Sequence, residues 1–161
     1  MMQRKPLTAE NAQARLEALC ARGEHCSYEL RLKMRQWGLS DADAMAVLKD
    51  MTRNRFVDDR RFAQSFAIDK FRFAQYGRVK ISMALRAKRI PAEYISEALE
   101  QIDEDEYWAT VVDVTTRRAA RGDDMATFEG RTKIYRYVVG RGFESELVSR
   151  ALRKLIKDEL G

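Results

Sequence analysis

Apolar residues recur along this chain at steps of three and four, the spacing that lines one face of an α-helix. Ala12, Leu16 and Leu19 follow Thr8, a good cap, and predict a helix over Ala9–Arg22 that stops at Gly23. Leu30, Met34 and Trp37 predict a second over Ser27–Trp37, ended by Gly38. Ser40 or Asp41 caps a third, with Ala44, Val47, Leu48 and Met51 inward. Asp58 or Asp59 starts a fourth that runs to about Gln75. Its Phe62, Phe66 and Phe73 share helical spacing and are assigned to the core; Phe71 and Tyr76 fall off that stripe and are expected to be partly packed. Gly77 breaks the run, and Arg78–Arg89 follows with Ile81, Ala84 and Leu85 inward. Pro91 suits the first turn of the next helix, whose stripe is Ile95, Ala98, Leu99 and Ile102.

The last third is less plain. Glu104–Arg121 reads as a helix with Trp108, Val111, Val112 and Thr115 inward, although its VVDVTT run suits a strand equally well by propensity. A polar loop over Gly122–Gly130 then leads to helices over Arg131–Arg141 and Ser145–Leu160. A repeat decides the matter. Leu30, Met34, Leu39, Ala44 and Leu48 recur 51 residues later as Ile81, Leu85, Ile90, Ile95 and Leu99. After 53 more they return as Ile134, Val138, Phe143, Val148 and Leu152, a register that a strand in the third unit would destroy. The pattern predicts an all-α chain of three tandem three-helix repeats, stacked into an elongated, curved body with helices packed near right angles. The expected units are a flexible tail over residues 1–8 and repeats over 9–57, 58–102 and 103–161.

Composition agrees: 45% of the residues are hydrophobic and 34% charged, with two prolines and no low-complexity stretch. The start carries no apolar run, so neither a leader nor a membrane span is expected, and the two cysteines read as reduced thiols of a cytoplasmic protein. The net charge of +5 is unevenly spread. Asn54–Ile90 concentrates phenylalanine, lysine and arginine against Asp58, Asp59 and Asp69 alone, whereas Pro91–Glu106 holds seven acids and no base. A basic block points to a polyanion or an acidic protein surface.

Little in the chain suggests catalysis. His25 and Cys26 resemble a base and thiolate, but sequence neighbours do not face each other on a helix. Cys20, His25 and Cys26 lack a fourth ligand at zinc spacing, and there is no glycine-rich phosphate loop, so no metal, cofactor or enzymatic activity is expected. Asp103–Glu106 reads as an interhelix link that favours the positive end of the following helix. The better lead is a stripe of Arg78, Ser82, Arg86 and Arg89 beside the Ile81/Leu85 face, with arginine outnumbering lysine 21 to 9 across the chain. The candidate contact residues are Arg78, Lys80, Arg86, Lys88 and Arg89, then Arg72, and at lower rank Arg60 and Arg61, which sit within ion-pair reach of the aspartates before them.

Three stretches resemble the RecX family, regulators of the bacterial recombinase RecA: ARLEALCARGEHCSYELRLKM (Ala14–Met34), NRFVDDRRFAQSFAIDKFRF (Asn54–Phe73) and YGRVKISMALRAKRI (Tyr76–Ile90). Glu24-His25-Cys26-Ser27, Asp58–Ala63 and Gly77–Ile81 occupy the family's motif positions; Val57 replaces a usual leucine, and Arg89 stands where glycine is common. KFRF followed by YGRVKI looks most like members from Bacteroides-type bacteria. A repeat body with charged ends is expected to be a monomer. The resemblance implies three tandem three-helix motifs and binding to RecA. It also implies seating on the RecA–single-stranded-DNA filament and restraint of filament growth, recombination, repair and the SOS response. Direct contact with single- or double-stranded DNA stays open. The alternative reading is a helix-turn-helix transcriptional regulator, since such units are also short helices joined by tight turns.

Overall fold

The computed structural model describes residue 5 and residues 7–160, the last without its side chain; the expected tail therefore lies largely outside the described residues. Within that tail, Leu7 packs on the first core and its N–H donates to the Trp37 carbonyl at 3.2 Å, and Thr8 caps the first helix. Nine helices follow among the described residues, with no strand: α1 (Ala9–Arg22), α2 (Ser27–Gln36), α3 (Asp41–Arg53), α4 (Asp59–Arg72), α5 (Arg78–Ala87), α6 (Ala92–Glu100), α7 (Glu104–Ala119), α8 (Phe128–Gly140) and α9 (Ser145–Leu160). The principal helix–helix contacts fall within α1–α3, α4–α6 and α7–α9. The 18.7 kDa chain exposes 10683 Å², where a compact monomer of that mass exposes about 8,300 Å², so the triplets form an extended body rather than a ball.

The caps are local and legible. Ser40, Asp58, Asp103 and Thr127 accept from the backbone N–H three residues on, each satisfying a donor that the first helical turn leaves open. Pro91 is the residue before α6 rather than its first helical position. The VVDVTT run is helical because Val111, Val114 and Thr115 fall at helical spacing on the face that packs against α8 and α9; Thr115 and Thr116 donate their hydroxyls back to the Val111 and Val112 carbonyls. The inner face of α7 centres on Tyr107, Val111, Val114 and Thr115, while Trp108 and Val112, expected inward, are half-buried at its margin. α8 starts at Phe128, three residues before the expected Arg131, because Thr127 caps it.

The positions aligned by the expected repeat share burial and backbone conformation. Its apolar positions are buried in all three triplets apart from Leu48 and Leu99, which are half-buried. The residue closing the second helix of each triplet takes a left-handed φ: 85° at Gly38, 60° at Arg89 and 97° at Gly142. Leu39 and Ile90, next in line, donate back to Met34 and Leu85, the bond that satisfies an orphan carbonyl at a helix end.

Two expectations about α4 are corrected. Phe73, assigned to the core, is 85% exposed, and Phe71, expected to be partly packed, is wholly buried. The buried arc of α4 runs from Phe62 through Ala63 and Ala67 to Phe71, because the two alanines let α6 lie close while Phe71 reaches onward to α7. Phe73 stands beyond the last turn, since the helix ends at Arg72 rather than near Gln75.

The cores are two, not three. One belongs to α1–α3 and includes Leu16, Leu30, Met34 and Met51. The other runs unbroken through α4–α9, because Phe71 stacks on Tyr107 and Tyr107 meets Phe143 at a tilt, each with ring centres 5.6 Å apart. These long side chains join triplets whose backbones make their main contacts separately.

Candidate functional site

Most of the candidate cations already hold a carboxylate. Arg60 grips Glu97 through two bonds of 2.6 and 2.9 Å, and this pairing raises its pKa. Arg72 reaches Glu106 at 3.2 Å, and Arg61 bonds Glu24 at 2.7 Å and the Arg55 carbonyl at 3.2 Å. Arg78 turns inward, bonding Glu104 at 2.7 Å and Glu144 at 2.9 Å with its guanidinium 3.8 Å above the Tyr107 ring. Burial would lower the Arg78 pKa, but the two carboxylates outweigh it and the net shift is upward. Lys88 bonds Glu29 at 2.8 Å. The acidic block that follows the basic one thus supplies Glu97, Glu104 and Glu106 to neutralise it.

Lys80, Arg86 and Arg89 are in no ion pair among the described residues. They share α5 and its closing turn with Val79 and Met83, apolar side chains that stay exposed on the same helix. Lys80 stands 4.2 Å from the centre of the Tyr76 ring, where it meets Arg141 at 5.0 Å and Lys70 at 5.7 Å. The Arg141 guanidinium is pinned by donating to the Ala74 carbonyl. Three cations on one half-buried ring, none paired with a carboxylate among the described residues, make a concentrated positive patch. Exposed Phe73 and half-buried Phe66 border an adjoining pocket of about 380 Å³, which Lys70 shares with Asp69 and Glu24.

Arg89 lies on the other side of α5, its guanidinium 5.6 Å from the centre of the Tyr28 ring. Tyr28, Arg31 and Arg35 of α2 join it around a pocket of about 240 Å³ that ends at Asp41 and Ala44 of α3. Sequence reasoning missed Arg31, Arg35, Lys70 and Arg141. The signal for the α2 pair was available, because Tyr28, Arg31 and Arg35 lie at helical spacing on one face. Lys70 and Arg141 carry no such local mark; they meet at Tyr76 only because the α8–α9 turn folds back onto the α4–α5 turn.

These surfaces can hold phosphates or carboxylates and stack rings, but they do not activate a nucleophile. Burial pushes the Cys26 thiol up to about 11, so it stays protonated, and it raises Cys20 as well. His25 bonds Glu29 at 3.2 Å rather than facing either thiol. No helix among the described residues is long and apolar enough to cross a membrane.

Comparison with known proteins places the chain in context. A family model described as RecX, second three-helix domain, matches residues 58–99. Regulatory protein RecX of Prosthecochloris aestuarii is 28% identical over 135 residues, covering 83% of this chain and 85% of that protein. The protein of the same name from Chlorobaculum tepidum is 26% identical over 141 residues, covering 88% and 86%. In fold, the chain is similar to the crystal structure of RecX from Lactobacillus salivarius, with a TM-score of 0.79 at 15% identity over 91% of this chain and 96% of that one. A second crystal structure of regulatory protein RecX gives 0.79 at 17% identity over 89% and 72%.

Proposed function

This chain belongs to the RecX family, and from that premise we propose that it is a non-enzymatic regulator that binds RecA and its single-stranded-DNA filament and limits filament growth. The observation that carries the reading is the set of unpaired cations along α5, beside exposed Val79 and Met83, in a chain whose relatives bear the name of a regulatory protein. An acidic protein surface or a phosphate backbone meets such a helix without first breaking an internal ion pair. Lys80, Arg86 and Arg89 form the contact; Arg60, Arg61, Arg72, Arg78 and Lys88, already bonded to carboxylates, act by holding the triplets in place. The division into units at 9–57, 58–102 and 103–161 belongs to the same proposal, supported by three helices in each span and by the family model's match to the second.

The test is ATP hydrolysis by RecA on single-stranded DNA with substoichiometric protein added. Inhibition well below one protein per RecA is expected, since a filament regulator acts on many subunits at once; absence of inhibition overturns the reading. The Lys80→Glu/Arg86→Glu variant should lose inhibition while keeping its helical signal and melting temperature. Full inhibition by that variant would remove α5 from the contact.

A further inference from the structure

Arg89 sits where both of its repeat equivalents are glycine. Gly38, Arg89 and Gly142 each close the second helix of a triplet, stand before Leu39, Ile90 and Phe143, and share a left-handed backbone. Glycine adopts that conformation without steric cost, and a side chain pays for its Cβ. The Arg89 side chain is not needed to end the helix: Arg89 N–H to Arg86 carbonyl at 3.0 Å and Ile90 N–H to Leu85 carbonyl at 3.2 Å are main-chain bonds. Strain kept where one substitution would relieve it directs attention to what the side chain does.

What it does is complete a basic pocket. Arg89 lies over Tyr28 and, with Arg31 and Arg35, encloses about 240 Å³ in which Asp41 is the one carboxylate. None of the three arginines is in an ion pair among the described residues, so their mutual repulsion is left standing. The first turn of α3, capped by Ser40, opens beside the pocket and adds the positive end of a helix. Forked guanidinium groups lining a space of this size suit the tetrahedral oxygens of one phosphate. We propose that the Tyr28–Arg31–Arg35–Arg89 pocket, between the first and second triplets, binds a nucleotide phosphate. The proposal goes beyond the regulatory reading and does not rest on it, because its test contains no RecA.

The phosphate comes either from the backbone of single-stranded DNA or from a free nucleotide, and two probes separate these sources. One is fluorescence anisotropy of a labelled oligothymidylate titrated at several salt concentrations. The other is the melting temperature with thymidine monophosphate against chloride at matched ionic strength. Arg31→Gln/Arg35→Gln should bind the oligomer about tenfold more weakly at low salt, with the log–log salt slope flattened by about 0.7 for each phosphate no longer neutralised. If instead only the monophosphate's stabilisation disappears in that variant, a free nucleotide is the ligand. Arg89→Gly should melt about 2–4 °C higher than wild type while showing the same weakening of binding, because it relieves the backbone and removes the guanidinium together. Wild-type response of the Arg31→Gln/Arg35→Gln variant to both probes would overturn the site. A melting temperature for Arg89→Gly at or below wild type would overturn the argument from strain. Normal RecA inhibition by the Arg31→Gln/Arg35→Gln variant would leave the regulatory reading intact in either case.

Discussion

The two junctions between triplets are built from different materials. Where α1–α3 meet α4–α6 the contact is polar and near the surface. The Ser27 N–H donates to Asp59 at 2.8 Å and its hydroxyl to the same carboxylate, Lys88 bonds Glu29, Arg61 bonds Glu24, and Arg89 covers Tyr28. Only Cys26, with half-buried Tyr28 beside it, carries the second core across. Where α4–α6 meet α7–α9, backbone touches backbone: the Gly77 N–H donates to Arg141 and the Val79 N–H to Gly142, each at 2.9 Å. Beneath lie the three rings of Phe71, Tyr107 and Phe143, and the Tyr107 hydroxyl donates to Glu144 while accepting the Arg78 N–H at 3.1 Å. Partly exposed ion pairs contribute about 0–1 kcal/mol each and weaken with salt. Buried aromatic pairs add about 0.5–1.5 kcal/mol each beyond the area they remove from water. One sequence repeat thus yields one fused double unit and one separately built unit.

The largest expected effect is at the fused junction. A Cβ on Gly142 would overlap Lys80's Cβ and backbone nitrogen, and φ there is 97°. Overpacking and left-handed strain together put Gly142→Ala at about 3 kcal/mol of destabilisation, a loss that thermal unfolding reads directly. That loss should fall on α4–α9 as a whole; a change confined to α7–α9 would split the double unit.

Next comes Tyr107→Phe, which keeps the ring stack but strips the hydroxyl from Glu144 and the Arg78 N–H. About 2 kcal/mol is expected by denaturant titration, because both partners lose a bond in a half-buried place. Asp59→Ala, at the polar junction, should cost about 1 kcal/mol and separate the melting of α1–α3 from the rest, seen as two transitions by calorimetry.

The smallest effect is a pH slope. Burial opposes the Glu29 charge, but bonds to Lys88 and His25 outweigh it and hold the carboxyl below its ordinary value of 4.5. The unfolded chain then binds this proton more readily than the folded one. Its contribution to stability is complete above about pH 4.5 and is lost as pH falls below that value. Glu29→Gln should flatten the acid limb of the stability profile measured by denaturant titration.

The sequence reveals the helices, their caps and the repeat register because each depends on residues a few positions apart. It does not reveal the inequality of the junctions. Arg78 looks like part of an open stripe until Glu104 and Glu144, 26 and 66 residues away, are seen to hold it. Phe71 and Phe73 exchange roles because periodicity along α4 cannot tell which neighbour lies close, and it is Tyr107 that draws Phe71 inward. Arg89 is the instructive case. Its departure from glycine is visible in the sequence, yet its meaning depends on the left-handed backbone and on the α2 arginines across the junction.

Native-state hydrogen exchange, followed helix by helix, addresses the two-body organisation most directly. Amides in the middles of α4, α6, α7 and α9 should share one opening free energy, and those of α1–α3 should open at a lower one, more so in high salt. A common opening energy for all nine helices, or α7–α9 opening apart from α4–α6, would contradict the account.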